Sequence, residues 1–85
     1  MSSIDKTIGK ILSGNSDNNI DFNDLRKLML RFEFLERIKG SHHIYTKTGI
    51  PEIINIQPIG NLAKGYQVKQ IRNLFLKYNL LKNNG

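Results

Sequence analysis

Residues 40–43, Gly-Ser-His-His, contain the only two histidines of this 85-residue chain. Histidine is the side chain whose unperturbed pKa, about 6.5, allows it both to accept and to donate a proton near neutral pH. The neighbouring glycine, which has no Cβ, lets the backbone approach a phosphate closely. This combination suits general acid–base catalysis on a phosphodiester, although two adjacent histidines are also ordinary polar residues of a strand.

Cleavage of RNA without a metal needs a base that removes the proton of the 2′-hydroxyl and an acid that protonates the departing 5′-oxygen. Histidine can serve in either role, and each well-placed group contributes about 10²–10⁴-fold to the rate. Two neighbouring histidines do not supply the three or four ligands of a zinc site, and the chain has no cysteine. We therefore expect neither a metal nor another cofactor.

The balance of charge favours a polyanionic partner. Thirteen Lys and Arg residues against seven Asp and Glu residues give a net charge of +6. Nucleic acid is the first class of partner that such a charge suggests, ahead of an acidic protein and an anionic membrane surface. Many small domains carry surplus lysine for solubility alone, so the positions of the cations carry more weight than their number.

Length and composition predict one domain in the cytoplasm. Eighty-five residues suffice for one small core. The absence of cysteine fits a reducing compartment. The first residues, 1–6, lack the basic start and apolar run of a signal peptide, and no apolar stretch approaches the roughly 20 residues that cross a bilayer. We expect a cytoplasmic protein without a membrane partner.

The apolar pattern predicts two parts. Isoleucines and a leucine at helical spacing favour a short helix over residues 3–13, and the polar run 15–19 has the composition of a linker. We predict an N-terminal helical extension and linker over residues 1–19. Residues 20–85 then form the domain that carries the histidines.

Within that domain the spacing predicts a helix, three strands and a second helix. The helices cover residues 22–32 and 67–80, and the strands cover residues 34–39, 42–47 and 52–57. The predicted fold is a small two-layer α+β domain: helix, three-stranded antiparallel sheet, helix, with an extra helix in front. The same order occurs in double-stranded-RNA-binding domains, so we describe it as dsRBD-like.

Three segments of the domain resemble the HicA toxins, small mRNA-cleaving proteins that are paired with HicB antitoxins in bacteria. They are the helix at 24–30 (DLRKLML), the strand–turn–strand at 38–45 (IKGSHHIY) and the helix at 67–77 (QVKQIRNLFLK). The resemblance covers about residues 20–81, and its most specific element is Gly-Ser-His. The family's third strand usually ends near a basic or histidine-bearing loop, whereas residues 56–61 carry no charge here.

The resemblance implies a toxin of a type II toxin–antitoxin pair. Its activity would be mRNA endonuclease cleavage by a histidine, and its partners would be mRNA and a HicB-like antitoxin. The order of residues favours His42 as the catalytic residue. His43 stays open as the alternative, because the pleat of a strand directs only one of the two toward bound RNA.

The RNA-binding residues are expected around that strand and at the start of the last helix. Tyr45 is predicted to stack on a base, whereas Tyr66 and Tyr78 are interpreted as structural. The remaining candidates supply positive charge, a close backbone approach or a hydroxyl. The predicted set is Lys39, Gly40, Ser41, Tyr45, Lys47, Lys64, Lys69 and Arg72.

Two other functions remain open from the sequence. One is a non-catalytic module that binds double-stranded RNA by shape and phosphate contacts. The other is an interaction domain with no role in nucleic acid binding. Affinity that falls steeply with salt would separate either RNA-binding hypothesis from the last.

Overall fold

The computed structural model describes residues 3–83 and the side chains of residues 4–81, and it confirms the predicted α+β fold. None of the helices in this range is long and apolar enough to cross a bilayer. A 3₁₀ turn at Asp17–Asn19 follows the first helix. In chain order the other elements are α1 (Ser3–Ser13), α2 (Phe22–Arg31), β1 (Leu35–Lys39), β2 (His42–Lys47), β3 (Ile50–Ile56), β4 (Pro58–Ile59), β5 (Leu62–Ala63), α3 (Gly65–Lys77) and α4 (Leu80–Asn83).

The strands β1, β2 and β3 form an antiparallel sheet in the order β1-β2-β3. A two-residue turn, Gly40–Ser41, joins the first two strands and sets Lys39 opposite His42. Gly40 has φ +61°, the left-handed conformation that glycine adopts at the first central position of such turns. This turn fixes the register and therefore decides which histidine points to which face.

The helix α2 begins and packs as its sequence predicts. The carboxylate of Asp21 accepts a hydrogen bond of 3.0 Å from the backbone N–H of Asp24, so Asp21 is the N-cap. The apolar stripe of α2 is buried in one core with the inner face of the sheet and with α3. Its members from these elements include Leu25, Leu28, Met29, Tyr45, Ile54, Ile56, Val68, Ile71 and Phe75.

The segment after β3 contains two short strands that the sequence analysis does not predict. Residues 58–63 form the short β4–β5 hairpin, with Gly60 at φ +59° in its turn. Backbone hydrogen bonds join this hairpin to the residues before α2: the N–H of Phe22 donates to the carbonyl of Asn61 (2.8 Å), and that of Ala63 to the carbonyl of Ile20 (2.9 Å). The helix α3, which corresponds to the predicted helix 67–80, begins at Gly65 and ends at Lys77, three residues before the predicted end.

The N-terminal helix is packed against the rest of the molecule. Ile11 is 4% exposed and belongs to the same core as α2 and α3. The guanidinium of Arg72 on α3 donates to the carbonyl of Ile11 (3.0 Å) and to the carboxylate of Asp17 (2.8 Å). The division at residue 19 stays a prediction, and its outermost residues, 1–2 and 84–85, lie outside the described part of the chain.

Candidate active site

The two histidines lie on opposite faces of β2. His42 is exposed on the outer face, which is the face away from the helices, together with its cross-strand neighbour Lys39. His43 lies on the inner face with the fully buried Tyr45, and its side chain is only 13% exposed. Because side chains alternate along a strand, only His42 can meet a ligand that approaches the open face of the sheet.

Amide side chains hold the ring of His42. Nδ1 of His42 lies 3.3 Å from Oδ1 of Asn55, and Nε2 of Gln57 lies 2.8 Å from each ring nitrogen. The amide nitrogen of Gln57 lies equally close to both ring nitrogens, so either one can accept its hydrogen bond while the other carries the proton.

Two lysines are associated with the residues next to this ring. The ammonium of Lys64 donates to Oε1 of Gln57 (2.9 Å), whose amide nitrogen contacts His42. Lys39 is exposed directly across the β1–β2 pair from His42, and Gly40 and Ser41 form the exposed turn between them. The structure therefore brings four of the predicted RNA-binding residues to the immediate surroundings of His42.

The helix α3 contributes a further cation, and the outer face of β1 contributes one that the sequence analysis did not single out. Lys69 is exposed on α3, one turn after Tyr66. Arg37 is exposed two residues before Lys39, hence on the same face of the sheet, and pairs with Ile44 of β2. A phosphate backbone that crossed the sheet at His42 would meet positive charge on both sides.

The structure corrects the prediction that Tyr45 stacks on a base. Its side chain is fully buried in the core, and its hydroxyl donates to the carboxylate of Glu36. Burial raises the pKa of the Tyr45 hydroxyl, and the hydrogen bond to Glu36 adds to this effect. A side chain in this position cannot contact RNA.

Lys47 and Arg72 also have structural roles. The ammonium of Lys47, on the inner face, donates to the carbonyl of Phe32 at the end of α2 (2.6 Å) and lies 5.6 Å from the ring centre of Phe34. Arg72 forms two hydrogen bonds with the carboxylate of Asp17, 2.8 and 3.2 Å long. These cations anchor neighbouring segments of the chain, so we remove them from the candidate RNA-binding set.

A charged network lies beneath His43. The guanidinium of Arg26 donates two hydrogen bonds, of 2.9 and 3.0 Å, to the carboxylate of Glu36. Nδ1 of His43 lies 3.4 Å from the same carboxylate. The ring centres of His43 and Phe22 are 4.9 Å apart, with an angle of 76° between the ring planes. Hydrogen bonds from Arg26, and smaller ones from Tyr45 and His43, lower the pKa of Glu36 to about 2 against the opposing effect of burial.

This network predicts a loss of stability in acid. Because folding lowers the pKa of Glu36 from 4.5 to about 2, its contribution is complete above pH 4.5 and disappears as the pH falls toward 2. We expect Glu36→Gln to lower the free energy of unfolding by about 2 kcal/mol at pH 7, since a charged hydrogen-bond partner is lost. The difference from wild type should shrink between pH 4.5 and 2. Urea unfolding of wild type and Glu36→Gln across this pH range tests the expectation.

The exposed Glu33→Gln is the matched control for that measurement, because it removes a carboxylate from the end of α2 without touching the network. It should change the unfolding free energy by less than about 0.5 kcal/mol. A Glu36→Gln protein as stable as wild type at pH 7 would contradict a stabilising role for the network.

The sequence analysis missed the side chains that form a groove beside His42. This groove of about 380 Å³ is lined by His42, Ile53, Asn55, Gln57, Tyr66, Gln67 and Gln70. Tyr66, which was interpreted as structural, is 67% exposed. The alternation of residues 53, 55 and 57 along β3 would have placed them on one face. Nothing in the sequence indicates that the first turns of α3 lie beside β3.

The side-chain amide of Gln67 fixes α3 to β3. Its Nε2 donates to the carbonyl of Asn55 (2.9 Å), and its Oε1 accepts from the backbone N–H of Gln57 (3.0 Å). Gln67 thus pairs with the free edge of β3 in the way that a further strand would. This contact holds the groove wall at a fixed distance from His42.

Among the described residues, no three His, Asp or Glu side chains are grouped so that they could hold a metal ion. No family model, curated protein or solved structure matches the chain.

Proposed function

We propose that this protein is an endoribonuclease of the HicA type, an mRNA-cleaving toxin that uses His42 as a general acid–base without a metal. The observation that carries the proposal is the position of His42. The Gly40–Ser41 turn presents it on the open face of the sheet beside Lys39, and Gln57 links it to Lys64. The second histidine, His43, lies on the inner face of the sheet, where it contacts Glu36 and Phe22.

The chemistry follows from the basic nitrogen of His42. The 2′-hydroxyl of RNA donates to the unprotonated ring nitrogen of His42, which accepts its proton as the 2′-oxygen attacks the adjacent phosphorus. The P–O5′ bond breaks, and the departing oxygen takes up a proton from solvent water. The products are a 2′,3′-cyclic phosphate and a 5′-hydroxyl. Lys39, the cross-strand neighbour of His42, and Lys64, which donates to Gln57, would oppose the negative charge that develops on the phosphate oxygens.

The proposal includes an antitoxin partner of the HicB type and a location in the cytoplasm, where mRNA is found. The charge of +6 suits an acidic partner. Exposed apolar side chains also lie on the outer face of the sheet, where Leu35 is 70% and Ile53 is 63% exposed. A protein that covered these side chains would also cover His42 and so block access of RNA.

Induced expression in a bacterial host tests the toxin activity. We expect growth arrest and loss of full-length mRNA, and both should be relieved by co-expression of the acidic partner. The salt-sensitive binding of RNA without any cleavage would favour the non-catalytic RNA-binding module instead. Normal growth with intact RNA, in cells that contain folded wild-type protein, would contradict the proposal.

A further inference from the structure

The groove beside His42 has the size and composition of a binding site for a small planar group. Its volume of about 380 Å³ falls in the range of about 300–1,000 Å³ that is common for small-ligand sites. One wall comes from the outward side chains of β3, and the other from the first turns of α3. Because His42 itself lines the groove, a group bound there lies next to the phosphate that His42 would act on.

Tyr66 supplies an aromatic surface at the rim of this groove. Its side chain is 67% exposed, and its hydroxyl lies 3.5 Å from Nε2 of Gln67. The amide of Gln67 is fixed in turn by its two hydrogen bonds to the edge of β3. An exposed tyrosine ring at the rim of a groove is suited to stacking on a base, which is worth about 1–3 kcal/mol per base.

Side-chain amides supply the polar groups of the groove. Gln70 is exposed, and its side chain has no hydrogen-bond partner among residues 4–81. Asn55 uses Oδ1 toward His42 and keeps its amide N–H groups for another acceptor. An amide presents donors and an acceptor side by side, which is the pattern that pairs with the edge of a nucleobase.

We infer that the groove is a nucleobase subsite: one base of single-stranded RNA, next to the scissile phosphate, stacks on Tyr66 while its edge contacts Gln70. This inference rests on the proposed function only for the identity of the scissile phosphate, since base binding is measurable without cleavage. It assigns to Tyr66 the stacking role that the buried Tyr45 cannot have.

An NMR titration tests base binding directly. We expect nucleoside 5′-monophosphates to shift the ring signals of Tyr66 and the side-chain amide signals of Gln70. Ribose 5-phosphate, which lacks only the base, should leave both unchanged. Tyr66→Leu should weaken nucleotide binding by about 5- to 150-fold, the equivalent of one stacked base. Tyr66→Phe keeps the aromatic face and should stay within threefold of wild type.

Cleavage of an RNA that carries one abasic nucleotide, moved stepwise along the strand, gives an independent test. We expect one position beside the cleaved bond at which the missing base lowers kcat/KM, and this sensitivity should disappear in Tyr66→Leu. Base-dependent shifts at Tyr66 in a protein that cleaves no RNA would support the subsite while contradicting the nuclease. Cleavage that ignores the abasic position, or equal shifts with ribose 5-phosphate, would overturn the subsite and leave the nuclease intact.

Discussion

His42→Ala is expected to reduce the rate of RNA cleavage by about 10²–10⁴-fold, because it removes from the open face of the sheet the group that we propose transfers the proton. The ring is exposed, and its hydrogen-bond contacts within residues 4–81 are with the side chains of Asn55 and Gln57, so its removal leaves the core intact. Thermal unfolding should therefore occur within a few degrees of wild type. Single-turnover cleavage of a labelled RNA, with excess enzyme, measures the chemical step.

His43→Gln is the matched control, because the two histidines are adjacent in sequence but lie on opposite faces of the sheet. It should cleave RNA within about threefold of wild type at a temperature where it is folded. It should also unfold more easily, because it loses the packing on Phe22 and the contact with Glu36. Full activity in His42→Ala together with an inactive, folded His43→Gln would assign the chemistry to the inner face and contradict our assignment.

Tyr45→Ala is expected to cause the largest loss of stability, about 3–5 kcal/mol. The ring is fully buried at the centre of the core, and the hydroxyl donates to the carboxylate of Glu36. Small domains have unfolding free energies near the lower end of about 5–15 kcal/mol, so this variant should be largely unfolded at growth temperature. Urea unfolding followed by circular dichroism measures the change.

Tyr45→Phe separates the ring from the hydroxyl. It should lower the unfolding free energy by only about 1–2 kcal/mol, the cost of one hydrogen bond to a charged group. Its affinity for RNA should equal that of wild type at temperatures where both are folded. A Tyr45→Ala protein that was as stable as wild type but bound RNA weakly would restore the predicted base-stacking role and refute the structural one.

The parts of the fold that the sequence predicted are those that follow from local periodicity. The stripe of α2 has the 3.6-residue period of a half-buried helix, and Asp21 is a strong N-cap, so this helix was found to within one residue. Alternation along β2 separated His42 from His43 correctly. It did not reveal which face the helices cover, and for that reason Tyr45 was assigned to the RNA-binding surface.

The remaining features depend on contacts between residues that are far apart in the chain. Arg72 and Asp17 are 55 residues apart, so the apolar pattern of α3 gave no indication that the guanidinium of Arg72 binds the carboxylate of Asp17. The apolar pattern also predicted the end of α3 too late. Asn79 has φ +53°, a backbone conformation that is not helical, and apolar periodicity gives no information about such a residue. The groove at His42 combines side-chain amides and a tyrosine from β3 and α3. These residue types form no recognisable sequence motif, so the sequence did not indicate the groove.

The most direct test of the account is to incubate the purified protein with a single-stranded RNA in excess EDTA and to determine the chemical nature of the new ends. We predict fragments that end in a 2′,3′-cyclic phosphate and begin with a 5′-hydroxyl, formed by wild type and lost in His42→Ala. Intact RNA after incubation with folded wild-type protein, or fragments with 5′-phosphate ends that require an added metal ion, would contradict catalysis by His42.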